Sequence, residues 1–188
     1  MYDKEFLFGK DTIDFVTVAL EFCSFLERAG GNKAEAKEVV DKCTKILPLL
    51  YLKTLLIPVP QEDDWDLEES VTEEGYELLR GNLSEILGQN DTYLSAVSQD
   101  MKYSDTPIAA TISEDLADIY QDLGNFLFVY REGIEQYMSN ALAKCRFAFD
   151  TYWGGRLLNC LNALHPLREL YGLSALSGEL ETEEDLYE

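Results

Sequence analysis

Between Ile112 and Tyr130 apolar residues return at intervals of four, three, four, three and four, at Ile112, Leu116, Ile119, Leu123, Phe126 and Tyr130. At about 100° per residue these six fall within an arc of about 80°, a heptad-like seam that must be buried against other helices. Glu114, Asp115, Asp118, Gln121, Asp122 and Asn125 occupy a second arc of about 120°. The segment Ser113 to Leu123 is therefore an amphipathic helix. It is also the best candidate site, because Asp115 and Asp122 lie at the border between the two arcs, where a carboxylate becomes partly buried.

The rest of the chain follows the same helical period. Asp11 reads as the N-cap of a first helix carrying Val16, Leu20, Cys23 and Leu26, ending at Gly30-Gly31. A second runs through Ala36, Val40, Cys43, Leu47 and Leu50, with Pro48 expected to kink or restart it, and the two form a hairpin. A third is expected from about Glu68 to Leu87, with Tyr76, Leu79, Leu83 and Ile86 on one side. After a turn at Gly88-Gln89-Asn90-Asp91, a short helix is expected from Thr92 toward Asp100.

Pro107 can open a fourth helix that runs to about Glu132. The last is expected from Ile134 to His165, with Ile134, Met138, Ala141, Cys145, Tyr152 and Cys160 as its stripe. Gly154-Gly155 predicts a kink or close helix contact within it, and Pro166 predicts its end. No stretch shows sustained period-two alternation. The fold class is all-α: a single-domain bundle of about five to six helices with two long C-terminal helices. Residues 1–10 read as a flexible N-terminus, 11–172 as the bundle with an acidic linker at 58–70, and 173–188 as an acidic, disordered tail.

Charge narrows the function. The 188 residues carry 36 acids against 15 bases, a formal net charge of −21, and 46% hydrophobic residues are ample for one core. Such a charge repels phosphate backbones and anionic lipid, which argues against direct nucleic-acid or membrane binding. The excess is concentrated: nine acids and no base from Glu62 to Glu77, and six acids with none from Glu179 to Glu188. An acidic surface of this kind suits a basic protein partner, while the tail cannot repay its ordering entropy. Cys23, Cys43, Cys145 and Cys160 form no CxxC pair, and on one helix the last two would stand about 22 Å apart. They read as buried hydrophobes of a cytoplasmic protein. Neither a signal-peptide run nor a membrane span is legible, since Ile46 to Val59 is interrupted by Lys53 and bracketed by Pro48 and Pro58.

Templates for chemistry fail one by one. A buried carboxylate needs a cation or several donors, and the bases available to the central helix are Arg131, Lys144, Arg146 and Arg156. An arginine of the last helix is therefore expected against Asp115 or Asp122. The metal alternative places one divalent cation on Asp115, Asp118 and Asp122, giving a hydrolase acting on nucleotides or phosphoesters. It lacks ligands from a second helix and a base to activate water. Di-iron ligation needs Glu-x-x-His, and the one histidine is His165. Glu35-x-x-Glu38 with Asp115-x-x-Asp118 mimics the spacing of helical nucleotide pyrophosphohydrolases, but Glu35 and Glu38 project away from the stripe of their helix. Asp64-Trp65-Asp66-Leu67-Glu68 lacks the glycine and the bidentate glutamate of a calcium loop. No phosphate-loop, dinucleotide, nucleophile-elbow or zincin signature is present, and no cofactor is indicated. Arg156 and His165 project about 180° apart on a straight helix and would cooperate only if the Gly154-Gly155 break re-aimed one of them.

The run Ser113-Glu114-Asp115-Leu116-Ala117-Asp118-Ile119-Tyr120-Gln121-Asp122-Leu123, followed by Trp153-Gly154 and Ala163-Leu164-His165, resembles an uncharacterised bacterial family of small acidic helical proteins known only as a domain of unknown function. The resemblance extends over roughly Asp11 to Tyr171. It implies a bacterial cytosolic protein and assigns no reaction. It marks Asp115, Asp118, Tyr120, Asp122, Trp153 and His165 as a shared cluster, structural or functional, to which Arg156, one of the four candidate bases, is added. The reading that follows is a non-enzymatic helical interaction module with an acidic surface.

Overall fold

The computed structural model describes residues 5–32, 34–58, 67–95 and 108–174. Helices α1 (Lys10–Asn32) and α2 (Ala36–Leu56) form the expected hairpin. Phe15, Ala19, Phe22 and Leu26 of α1 and Val40, Cys43, Leu47 and Leu50 of α2 are buried at helical spacing. Lys53 Nζ bonds Asp14 Oδ2 across the pair at 2.7 Å, and α2 continues without restart through Pro48. Residues 5–10, expected within a flexible N-terminus, are folded instead. A 3-10 turn at Glu5–Phe8 buries Leu7, whose carbonyl accepts from the Tyr130 hydroxyl at 2.7 Å.

Helix α3 (Glu73–Leu87) begins later than expected. The Thr72 hydroxyl accepts from Gly75 N at 3.1 Å and caps it. Ahead of the cap, Ser70 N and Val71 N donate to Asn125 Oδ1 at 2.8 and 2.9 Å. Those amides satisfy themselves on a side chain of the central helix, so this part of the acidic linker is a strap lying over the bundle. Residues 59–66 of the linker lie outside the described residues.

The short helix after Thr92 and the helical start at Pro107 are both corrected. Thr92–Ser95 is strand β1 and Ile108–Thr111 is strand β2, paired antiparallel with Thr92 opposite Thr111 and Ser95 opposite Ile108. The residues between them, Pro107 included, lie outside the described residues. Asp91 fixes the hairpin to the central helix: Ile112 N donates to its carbonyl at 2.9 Å, and Ser113 N and Oγ donate to its carboxylate at 2.8 and 2.7 Å. Helix α4 (Ile112–Arg131) therefore starts at Ile112, capped by Thr111.

Within α4 the expected seam is the core. Ile112, Leu116, Ile119, Leu123 and Phe126 are buried, and Tyr130 is half-buried against them.

The last long helix is two helices joined by a wide π turn: α5 (Glu135–Ala148), the turn Phe149–Trp153, and α6 (Gly154–Leu170). Gly154 N donates to Phe149 O, five residues back. A Cβ on Gly154 would stand 2.5 Å from that oxygen, whereas Gly155 faces open space. The predicted interruption is thus real, and it belongs to Gly154. The extra residue shifts the helical phase, which is why Tyr152 leaves the predicted stripe; Ile134, ahead of α5, is exposed as well. Helix α6 also runs past His165 and through Pro166, held by Leu167 packing on the core and by Arg168, whose guanidinium donates to Thr44 Oγ1 at 2.8 Å and Leu173 O at 3.0 Å. Of the expected tail only Leu173 and Ser174 are described. No helix among the described residues is long and apolar enough to cross a membrane.

Candidate functional site

Asp115 and Asp118, one turn apart on α4, are both buried. Four elements converge on them. From β1, the Tyr93 hydroxyl donates to Asp115 Oδ2 at 2.5 Å. From α3, the Tyr76 hydroxyl donates to Asp118 Oδ1 at 2.8 Å. From the π turn, the Tyr152 hydroxyl donates to Asp118 Oδ2 at 2.7 Å. From α6, Arg156 bridges the pair, Nη1 lying 3.3 Å from Asp115 Oδ1 and Nε 3.3 Å from Asp118 Oδ2. The guanidinium also stacks on the Tyr152 ring, 5.4 Å from its centroid. Because the π turn ends just before α6, Tyr152 and Arg156 are brought to the same carboxylate oxygen, Asp118 Oδ2. The expected arginine of the last helix is Arg156, and its carboxylate is Asp115, with Asp118 beside it.

The electrostatics follow from two acids sharing one base out of water. Burial pushes Asp115 up to about 6, against the pull of Tyr93 and Arg156, and the neighbouring Asp118 adds to the rise. Burial and the hydrogen bonds to carboxylates raise all three tyrosines, Tyr152 to about 12. The hydroxyls therefore remain donors through the neutral range. Each of the four carboxylate oxygens has a partner, so the cluster is a cross-link of α4 to α3, β1, the π turn and α6.

The other residues singled out in the sequence lie elsewhere. Asp122 lines a small cavity of about 60 Å³ with Leu67, Glu69, Lys144 and Cys145. Burial and the charges of Asp118 and Glu69 push it up to about 6, and Lys144 opposes them. Tyr120 turns toward α1 and donates to Glu27 Oε1 at 2.8 Å. Trp153 is buried, its Nε1 donating to Cys145 O at 3.2 Å and its ring edge-on to Phe149. His165 is exposed beside a groove between α2 and α6, far round α6 from Arg156 as the projection requires.

Three carboxylates on one cation is thus not the arrangement found. Among the described residues no group of three acidic, histidine or cysteine side chains is placed to hold a metal ion, and Arg156 fills the position between Asp115 and Asp118. Glu35 and Glu38 are exposed. Tyr76, Tyr93 and Asp91 were not legible as partners: the first reads as part of an apolar stripe, the second lies in an expected helix, and the third reads as a turn residue.

Fold and cluster together define an all-α single-domain protein pinned by a buried carboxylate–arginine node. Residues 7–169 match the domain of unknown function DUF5063, and the chain belongs to that family. It is similar to protein BF1032 from Bacteroides fragilis, known as a crystal structure, with 43% identity and a TM-score of 0.76 over 87% of this chain and 95% of that one. No curated protein matches it.

Proposed function

We propose that this protein is a non-enzymatic interaction module of the bacterial cytoplasm that docks a basic protein partner on its acidic surface. The observation that carries this reading is the saturation of Asp115 and Asp118. The carboxylates best placed for chemistry have all four oxygens occupied by Arg156 and three tyrosine hydroxyls. A metal hydrolase would have to displace Arg156 and lose those bonds before it could bind its cation.

The charge excess then faces outward. Glu68, Glu69, Glu73, Glu74 and Glu77 are exposed along the strap and the start of α3, with Glu114 of α4 also exposed. Arg80, paired with Glu77 at 2.6 Å, is the base that accompanies them on α3. A ridge of this kind steers and orients a basic partner more than it tightens the complex, so association must weaken with salt.

Capture from a cell lysate with the full chain tests the reading. A partner held at low salt, released at high salt and lost with the triple substitution of Glu73, Glu74 and Glu77 to Gln is the expected result. A partner indifferent to both, or none at all, contradicts it.

A further inference from the structure

In a chain where acids outnumber bases by more than two to one, the two longest runs without an acid are residues 42–61 and 151–168. The first covers most of α2 and the second covers nearly all of α6. The fold packs these two helices side by side. One face of a strongly anionic molecule is therefore built from the acid-free stretches of two helices, with Glu38 and Asp41 confined to the start of α2 and Glu169 to the end of α6.

That face is also apolar. Helix α2 buries one side, yet Leu49, Leu52, Leu55 and Leu56 on the other are 43, 52, 47 and 48% exposed. From Ile46 to Leu56 the helix is apolar on most sides, with Lys53 as the one charge, and such a stretch is expected to be covered on more than one side. Alongside this ridge runs an open groove of about 460 Å³, lined by Thr44 and Pro48 of α2 and by Leu158, Leu161 and His165 of α6. Leu158 is itself 49% exposed.

We infer that this face is the self-association surface of the protein, its occupant being a second copy of the same chain. Ridge and groove lie next to each other on one face. A two-fold axis can then seat the α2 leucines of each copy in the groove of the other, the isologous arrangement usual for homodimers.

Charge selects the same face. Two copies at −21 repel over most approaches, and a contact between the acid-free stretches at 42–56 and 154–168 brings few carboxylates together. The available area fits a modest dimer: a patch about 31 Å long and about 20 Å wide offers on the order of 600 Å² per copy, at the lower end for specific interfaces. This inference is independent of the basic partner and leaves the acidic ridge on α3 free.

Sedimentation of the full chain over a hundredfold concentration range, at low and high salt, tests it. The average mass should rise from 21.4 kDa toward twice that value, more readily at high salt, where repulsion between the chains is screened. Leu52→Glu and Leu158→Glu should each weaken association by about a hundredfold or more, since the two-fold axis buries each new carboxylate twice. Leu20→Glu, in the groove between α1 and α4, should leave it unchanged. All four native cysteines are buried, so Leu52→Cys introduces the accessible thiol and should cross-link pairs of copies with a short bismaleimide even if a charged variant misfolds. A monomer at the highest concentration in high salt, a dimer unaffected by Leu52→Glu, or an absence of cross-linked pairs would overturn the inference.

Discussion

At the scale of single residues, the decisive side chain is Arg156. It is the cation shared by two buried carboxylates, so its removal leaves both uncompensated. Arg156→Ala should cost about 3–5 kcal/mol of folding stability, the usual penalty for breaking a buried pair. Arg156→Lys keeps the charge but cannot reach Asp115 and Asp118 with a planar fork, and its melting temperature should fall between those of the alanine variant and the wild type. Asp115→Ala removes one carboxylate and leaves the Tyr93 hydroxyl without its acceptor. It should cost about 1–3 kcal/mol by chemical denaturation. An arginine of the last helix against Asp115 or Asp122 was legible in the sequence because a carboxylate at the edge of a buried seam demands a base, and bases are scarce near it; which arginine meets which carboxylate was not. The tyrosines were not: a tyrosine at the margin of an apolar stripe gives no sign of where its hydroxyl will point.

At the scale of elements, periodicity revealed the helices and their seams because each runs for several turns and repeats its period many times. The β-hairpin escaped because its strands hold four residues each, too few for alternation to stand out from a helical pattern. Strand pairing there is set by Asp91 binding the start of α4, a contact between segments that no local period encodes. The π turn was half legible: Gly154-Gly155 announced an interruption, but its form depends on the Phe149 carbonyl lying against Gly154. Two substitutions separate the glycines. Gly154→Ala should destabilise by at least about 1–3 kcal/mol, since the new methyl meets backbone that cannot yield. Gly155→Ala, facing open space within α6, should stabilise by up to about 1 kcal/mol. Equal effects in thermal melts would contradict the assignment of the turn to Gly154.

At the scale of the molecule, charge and burial combine into a pH dependence. Asp115 and Asp122 are both raised to about 6 from an ordinary value near 4. Between those values the folded chain holds protons that the unfolded chain has released, so stability must increase as pH falls from 7 toward 5. Relief of the repulsion among 36 acids acts in the same direction. The melting temperature should therefore peak on the acid side of neutrality, and Asp115→Asn should flatten the rise; a melting temperature that falls steadily from pH 7 to 5 would contradict the buried, shared-arginine description. The site as a whole was legible only in part, because which carboxylates converge depends on how α3, β1 and α6 pack around α4. Asp122 sits on the same helix face by projection but meets the strap and α5 instead. The most direct test of the central claim, that Asp115 and Asp118 are locked as a structural node, is calorimetric titration of the full chain with magnesium and manganese. The Asp115→Asn, Asp118→Asn, Asp122→Asn triple variant is titrated alongside it. Weak, non-saturating heats that persist in the variant are predicted, and saturable one-site binding that disappears in the variant would contradict the account.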